Sequence, residues 1–266
     1  MKLSCSSHVV PGDTLTQKAL FLKNCGYDGM SVFAEYSLWS EDTHKEVLSL
    51  YERTGIIPCE FVFSDPIYGH LMSDDPNLKK QCRQMYKEAA MVCAEIGAVT
   101  ELEYSCGPQD PLPLYSPYQK MSDKQIEEFV LLYQEIASIV EGSSALVLIE
   151  PINRYETPYL NNIHDCMDLL KAVNHPNAGL LLDYFHMSIE EKDLPQSTIS
   201  AGKWVRHVHL GDSNRLLPGY GNTDFPACFS ALKKIDYNGF VSLECAVMGD
   251  PYAELSKTSA FLSELI

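Results

Sequence analysis

A closed (β/α)8 barrel, an α/β fold made in a single domain, is the fold class this sequence predicts, and three observations predict it. Eight short apolar or β-branched runs recur, at KLSCSS, DGMSVFA, IPCEFVFS, AVTELEYS, ALVLIEPI, AGLLLDYF, VRHVHLG and FVSLECA. Stretches of helical periodicity lie between them, so strand and helix alternate along the chain. The length of 266 residues suits one such barrel, for which about 250 is typical.

The elements follow in order. MKLSCSSHVV carries one Lys and no long apolar stretch, so it reads as a first strand and not as a secretion signal. A cytoplasmic location is the expectation that follows. TLTQKALFLKNCGY reads as a helix ending at Gly26, which suits a C-terminal cap, before the strand in DGMSVFA. After IPCEFVFS, the stretch SDDPNLKKQCRQMYKEAAMVCAEIGA is the clearest helix. Asp75 caps it, Pro76 fits its first turn, and apolar residues recur at helical spacing until Gly97. The loop SCGPQDPLPLYSPYQKM beyond AVTELEYS is long for a connection and is expected to fold over one end as a lid. SDKQIEEFVLLYQEIASIV is a helix capped by Ser122 with acids in its first turns. ALVLIE and AGLLLD are continuously apolar, as strands covered on both faces are. No linker or low-complexity tract divides the chain, so residues 1–266 are expected to form one domain.

Composition narrows the function. Hydrophobic residues make up 45% and charged residues 21% of the chain, as in ordinary globular proteins. No apolar run approaches the roughly 18 residues of a membrane span. The formal net charge of -16 opposes nucleic-acid binding, which depends on Lys and Arg displacing counterions. Basic residues are dispersed, which leans the substrate toward neutral molecules, although one Arg and backbone amides can hold a phosphate. Nine cysteines with no C-x-x-C pair read as free, mostly buried thiols.

Four late strands each finish on an ionisable side chain: Glu150 in VLIEP, Asp183 in LLLDY, His209 in HVHLG and Glu244 in SLECA. In a barrel of this kind chemistry sits where strands end. A lone carboxylate there would be costly to desolvate, and three converging carboxylates repel unless a cation lies between them. One divalent metal ion resolves the conflict. Three oxygens and one imidazole suit Mn²⁺ first, with Mg²⁺ or Co²⁺ as alternatives, whereas Zn²⁺ favours more nitrogen or sulfur. Taken singly, each residue also fits a cap, an ion pair or a core hydrogen bond; four successive strand ends favour the metal. His207 shares a strand face with His209 but sits one layer deeper, as a hydrogen-bonded core residue.

The phrases IEPINRYETPYLNN, LLDYFHMSIEE, HVHLGDSNRLLPGYGNTDF and GFVSLEC resemble the sugar isomerase and epimerase superfamily of xylose-isomerase-like TIM barrels. Within it they are most similar to the ketose 3-epimerases typified by D-tagatose 3-epimerase and D-psicose 3-epimerase. The match covers about residues 145 to 246, with an echo in the Asp-Pro-capped helix and only strand rhythm over the first 60 residues. The resemblance implies metal ligation by Glu150, Asp183, His209 and Glu244, and contact with substrate oxygens by Glu156, His186 and Arg215. It implies a divalent-metal-dependent epimerase inverting C3 of a free ketose through an enediolate, with Glu150 and Glu244 alternating as base and acid. An aldose-ketose isomerase or an inosose dehydratase would use the same ligands. A phosphodiesterase of the endonuclease IV type would need histidines from earlier strands, and a ligand-binding barrel without catalysis would need no metal. A possible homo-oligomer is a further expectation by analogy.

For three of these residues the sequence leaves other roles open. Glu156 also reads as a surface carboxylate, and Arg215 as an ion-pair partner of Asp212 or Glu156. His186 can orient substrate, ligate a second metal or satisfy a loop carbonyl. The chain departs from the family at Asn222, where many relatives have His, and at Cys245, Ala246 and Val247, a position that varies among relatives. His8, Phe33, Glu35, Trp39 and Tyr68 on early strands carry no recognisable signature.

Overall fold

The computed structural model describes residues 1–115 and 119–266; residues 116–118, in the middle of the loop expected to act as a lid, lie outside the described residues. The strands are β1 (Lys2–Ser6), β2 (Gly29–Glu35), β3 (Ile57–Ser64), β4 (Val99–Leu102), β5 (Leu146–Ile149), β6 (Ala178–Asp183), β7 (Val205–Leu210) and β8 (Phe240–Leu243). They close in sequence order into one parallel barrel, β1 pairing with both β2 and β8. The helices among the described residues are α1 (Leu15–Asn24), α2 (Glu41–Thr54), α3 (Pro76–Ile96), α4 (Asp123–Ile139) and α5 (Ile163–Val173), then α6 (Tyr184–Glu190), α7 (Leu194–Ala201), α8 (Phe225–Lys234) and α9 (Pro251–Ser263). The eightfold alternation read from the sequence is present in full, with two helices after β6.

The helix boundaries follow local chemistry. The Asp75 carboxylate accepts from the backbone N–H groups of Asn77 and Leu78, Pro76 begins α3, and Gly97 ends it with φ of 71°. Such a cap contributes about 1 kcal/mol. Ser122 and Gln125 form a reciprocal capping box at α4. The fourth strand is shorter than AVTELEYS suggested. Its ladder with β5 ends at Leu102 opposite Ile149, with the Glu150 N–H donating to Leu102 O at that end. Glu103 therefore lies just outside the sheet, at the rim.

Two different cores result. Outside the barrel, the apolar faces of the strands meet the helices, and fully buried Phe61, Phe129, Tyr133 and Leu180 belong to that layer. Inside, the residues reaching across the barrel are polar. Ser31 of β2 meets Ser242 of β8 at 2.7 Å, and Glu60 of β3 meets His209 of β7. An interior built this way leaves charged groups beneath the mouth, where the site lies. All nine cysteines are free, eight of them buried and Cys106 half-buried. No helix among the described residues is long and apolar enough to cross a membrane.

Candidate active site

The site is assembled by the ends of β5 to β8. Glu150 directly follows β5, and its N–H donates to Leu102 O at 3.3 Å, which fixes its height above the sheet. Asp183 ends β6 and caps α6, its Oδ1 accepting from Phe185 N–H at 2.7 Å. His209 stands in β7, and Glu244 follows β8 with its N–H on Leu210 O. One ligand atom from each of Glu150, Asp183, His209 and Glu244 lies within 4.8 Å of the others. All but Glu244 are at most 4% exposed.

The orientation of His209 is set from below. Its Nε2 lies 3.1 and 2.9 Å from the two oxygens of Glu60, while Nδ1 faces Glu244 Oε2 at 3.4 Å and Glu150 Oε1 at 3.8 Å. Nε2 donates to Glu60, so in the neutral ring Nδ1 keeps its lone pair toward the carboxylates. Neither His209 Nδ1 nor Glu150 Oε1 has a hydrogen-bond partner. Buried polar atoms are normally paired, and these two point at a common centre with two more carboxylates. A divalent cation fits that centre: the donor set is three carboxylates and an imidazole, with a buried carboxylate orienting the imidazole.

Charges around that centre are partly balanced within the protein. Arg215 donates from Nη1 to Asp183 Oδ2 at 3.0 Å and from Nη2 to Glu244 Oε2 at 2.6 Å, and its guanidinium lies 4.6 Å from the centre of the Phe185 ring. Burial raises the Glu150 pKa above the usual carboxylate value, against the pull of His209. Burial acts on Glu244 too, but His209 and then Arg215 outweigh it and hold that carboxylate well below the usual range. Burial works against a charge on His209, yet Glu60 and Glu244 raise its pKa well above 6.5. His207 is pushed down to about 4 by burial, and its Nε2 lies 3.6 Å from Glu60. It is a buried ring in the layer below, as expected, but its Nε2 has no hydrogen-bond partner, so the hydrogen bonding expected of it is not found at that atom.

The remaining expected residues gather at the mouth. His186 is 3% exposed; its Nδ1 is 2.7 Å from Asn153 Nδ2 and its Nε2 3.0 Å from Arg215 Nη1. Glu156 accepts from Asn153 Nδ2 at 2.8 Å and lines the same cavity of about 280 Å³ as Glu150, His186, Arg215 and Glu244. Arg215 pairs with neither Asp212 nor Glu156. The buried carboxylate of Asp212 instead accepts from the backbone N–H groups of Ser213, Gly219, Gly221 and Thr223, which shapes the loop carrying Arg215. Arg215 sits in that loop at φ of 60°, its N–H on Asp212 O and its carbonyl accepting from Ala246 N–H.

Three residues of the site were not anticipated. Glu60 crosses to His209, while Glu101 and Glu103 line the cavity with Tyr68, whose hydroxyl is 2.7 Å from Glu101 and 3.1 Å from Glu103. Burial, reinforced by Glu150, raises the pKa of both carboxyls well above the usual value. A signal existed. Glu60 is a carboxylate inside the largely apolar run IPCEFVFS, which is costly to bury without a partner.

The model of the family described as xylose isomerase-like TIM barrels matches residues 20–265. D-psicose 3-epimerase of Ruminiclostridium cellulolyticum is 31% identical over 179 residues, 66% of this chain and 59% of that protein. The alignment thus spans about three-fifths of that relative's length. The 3-dehydro-D-guloside 4-epimerase of Escherichia coli is 23% identical over 262 residues and 97% of each chain. In architecture, the barrel is similar to the D-allulose 3-epimerase of a Methylomonas species in complex with D-allulose. That similarity has a TM-score of 0.83 at 24% identity and covers 100% of this chain and 97% of the other.

Proposed function

The chain belongs to the xylose isomerase-like TIM-barrel family, and from that premise we propose that it is an enzyme, a divalent-metal-dependent epimerase inverting C3 of a free ketose. The observation that carries the reading is the convergence of Glu150, Asp183, His209 and Glu244 beneath a cavity that also holds Glu156, His186 and Arg215. The relative named as a D-psicose 3-epimerase supports the substrate class. Residues 1–266 act as one domain in this reading, and self-association, checked by sedimentation, accompanies it by analogy.

Glu150, Asp183, His209 and Glu244 would hold the cation, with Mn²⁺ the first choice for this donor set. Bound there, it supplies positive charge that stabilises the oxygen on which negative charge develops as the proton at C3 leaves. Arg215 and His186 orient the sugar's oxygens, and Glu156, steadied by Asn153, accepts from a hydroxyl. Inversion needs proton transfer on both faces of C3. Glu150 and Glu244 stand on β-strand ends separated by those of Asp183 and His209, so they flank a substrate between them. Each would serve as base in one direction and as acid in the reverse.

The test is incubation with Mn²⁺ and a panel of free ketoses in deuterated water. C3 epimers carrying deuterium at C3 are expected; absence of exchange with every sugar would count against the reading. A second reading has its own support, because the Escherichia coli 4-epimerase aligns with nearly the whole chain. It places inversion at C4 of a 3-keto sugar, and label at C4 in such a substrate would favour it. Label at C1 or C2 would indicate an aldose-ketose isomerase, and loss of water an inosose dehydratase.

A further inference from the structure

Glu101 and Glu103 are two residues apart, so both face the barrel interior from β4 and its rim. Leu102 pairs with Ile149 in the ladder, which sets Glu103 level with Glu150 on the neighbouring strand. One carboxylate oxygen of each of the three lies within 4.8 Å of the others, and each residue is 4% exposed. Among the described residues no Lys, Arg or His forms an ion pair with Glu101 or Glu103, and Arg215 is engaged by Asp183 and Glu244.

The donor supply is equally short. The Tyr68 hydroxyl, with one proton, is shared between Glu101 Oε1 and Glu103 Oε1. Glu101 Oε2, Glu103 Oε2 and Glu150 Oε1 are buried without any hydrogen-bond partner. These three bare oxygens come from two strands and border the same cavity, so space for a ligand lies beside them. Neutral hydroxyl groups would satisfy the lone pairs but give the three carboxylates, once ionised, no counter-charge. A cation satisfies both requirements.

The geometry points to a second divalent-cation site formed by Glu101, Glu103 and Glu150, with Glu150 shared between it and the site formed with Asp183, His209 and Glu244. An all-oxygen donor set selects a hard ion of the Mn²⁺, Mg²⁺ or Ca²⁺ type. The inference rests on the metal reading of the first site only through Glu150. A count of one ion per chain overturns the second site and leaves the epimerase reading standing, whereas a count of none overturns both.

The experiment counts Mn²⁺ alone on the full chain, by equilibrium dialysis with elemental analysis and by electron paramagnetic resonance. Two equivalents per chain are expected, with the isolated-ion signal from the first collapsing through spin coupling as the second enters. The E101Q/E103Q double variant keeps the four residues of the first site and is expected to bind one equivalent with the uncoupled signal. One equivalent on the unaltered chain, or two uncoupled equivalents that survive the double substitution, overturns the proposal. Should the double variant fail to fold, E103Q alone is expected to weaken the second equivalent at least tenfold; an unchanged second affinity there also overturns it.

Discussion

Glu60, in the middle of β3, and His209, near the end of β7, meet across the barrel interior with His209 Nε2 2.9 and 3.1 Å from the two Glu60 oxygens. Both are fully buried. The contact fixes which imidazole nitrogen is left for the centre above it. Replacing Glu60 by Gln keeps an acceptor but removes the charge. Metal affinity is expected to fall roughly 10- to 100-fold, measured by competition with a chelator indicator. An affinity equal to that of the unaltered protein would mean that Glu60 only fills space.

The same pair sets a pH dependence. In the metal-free fold burial works against a charge on His209, but the carboxylates of Glu60 and Glu244 outweigh it and raise its pKa well above 6.5, which favours the charged ring. A cation must displace that proton. Mn²⁺ binding at pH 7 should release a proton, detectable as a calorimetric enthalpy that varies with the buffer's ionisation heat, and affinity should rise as pH rises. The raised pKa also stabilises the metal-free protein fully below the unfolded value of about 6.5, a contribution lost as pH rises through the folded value. Binding heats that are identical in all buffers would contradict this.

Arg215 joins Asp183 to Glu244 through two nitrogens of one planar group and lies over Phe185. Lysine cannot reproduce that fork. R215K is expected to lower kcat/KM on the order of 100-fold while Mn²⁺ stoichiometry stays unchanged. Steady-state kinetics beside metal analysis separates the two; loss of metal in step with activity would instead make Arg215 a support for the cation centre.

Asp212 collects four backbone N–H groups on one buried carboxylate. D212A strips all four donors of their acceptor and should destabilise the fold by about 3 kcal/mol, seen as a drop of roughly 6–12 °C in Tm. Activity should fall with it, since the same loop carries Arg215. A Tm within one degree of the unaltered protein would show that water replaces the carboxylate.

Strand order, helix caps and the four residues at the ends of β5 to β8 were readable because each depends on short-range pattern: an apolar run, a polar terminus, Asp75-Pro76 or Ser122 before a helix. The partners of those residues were not. Glu60 is separated from His209 by 149 positions, and only closure of the barrel brings them together. Glu101 and Glu103 sat inside AVTELEYS, whose alternation disguised them as the solvent-facing half of an ordinary strand. The true partners of Arg215 were obscured for a similar reason. The sequence offered Asp212 or Glu156, whereas the first accepts from its own loop and the second from Asn153.

The carboxylates that line the cavity also determine which molecules can approach it. Asp65, Glu101, Glu103, Glu150, Glu156 and Glu244 line the cavity, and among the described residues Arg215 is the single Lys or Arg lining it. A sugar ester of phosphoric acid carries close to two negative charges at neutral pH and meets a repulsive field before any contact forms. Under the proposed reading the unesterified sugar would meet no such barrier, and turnover of a free ketose is expected to exceed that of its phosphate ester in a mixture of the two.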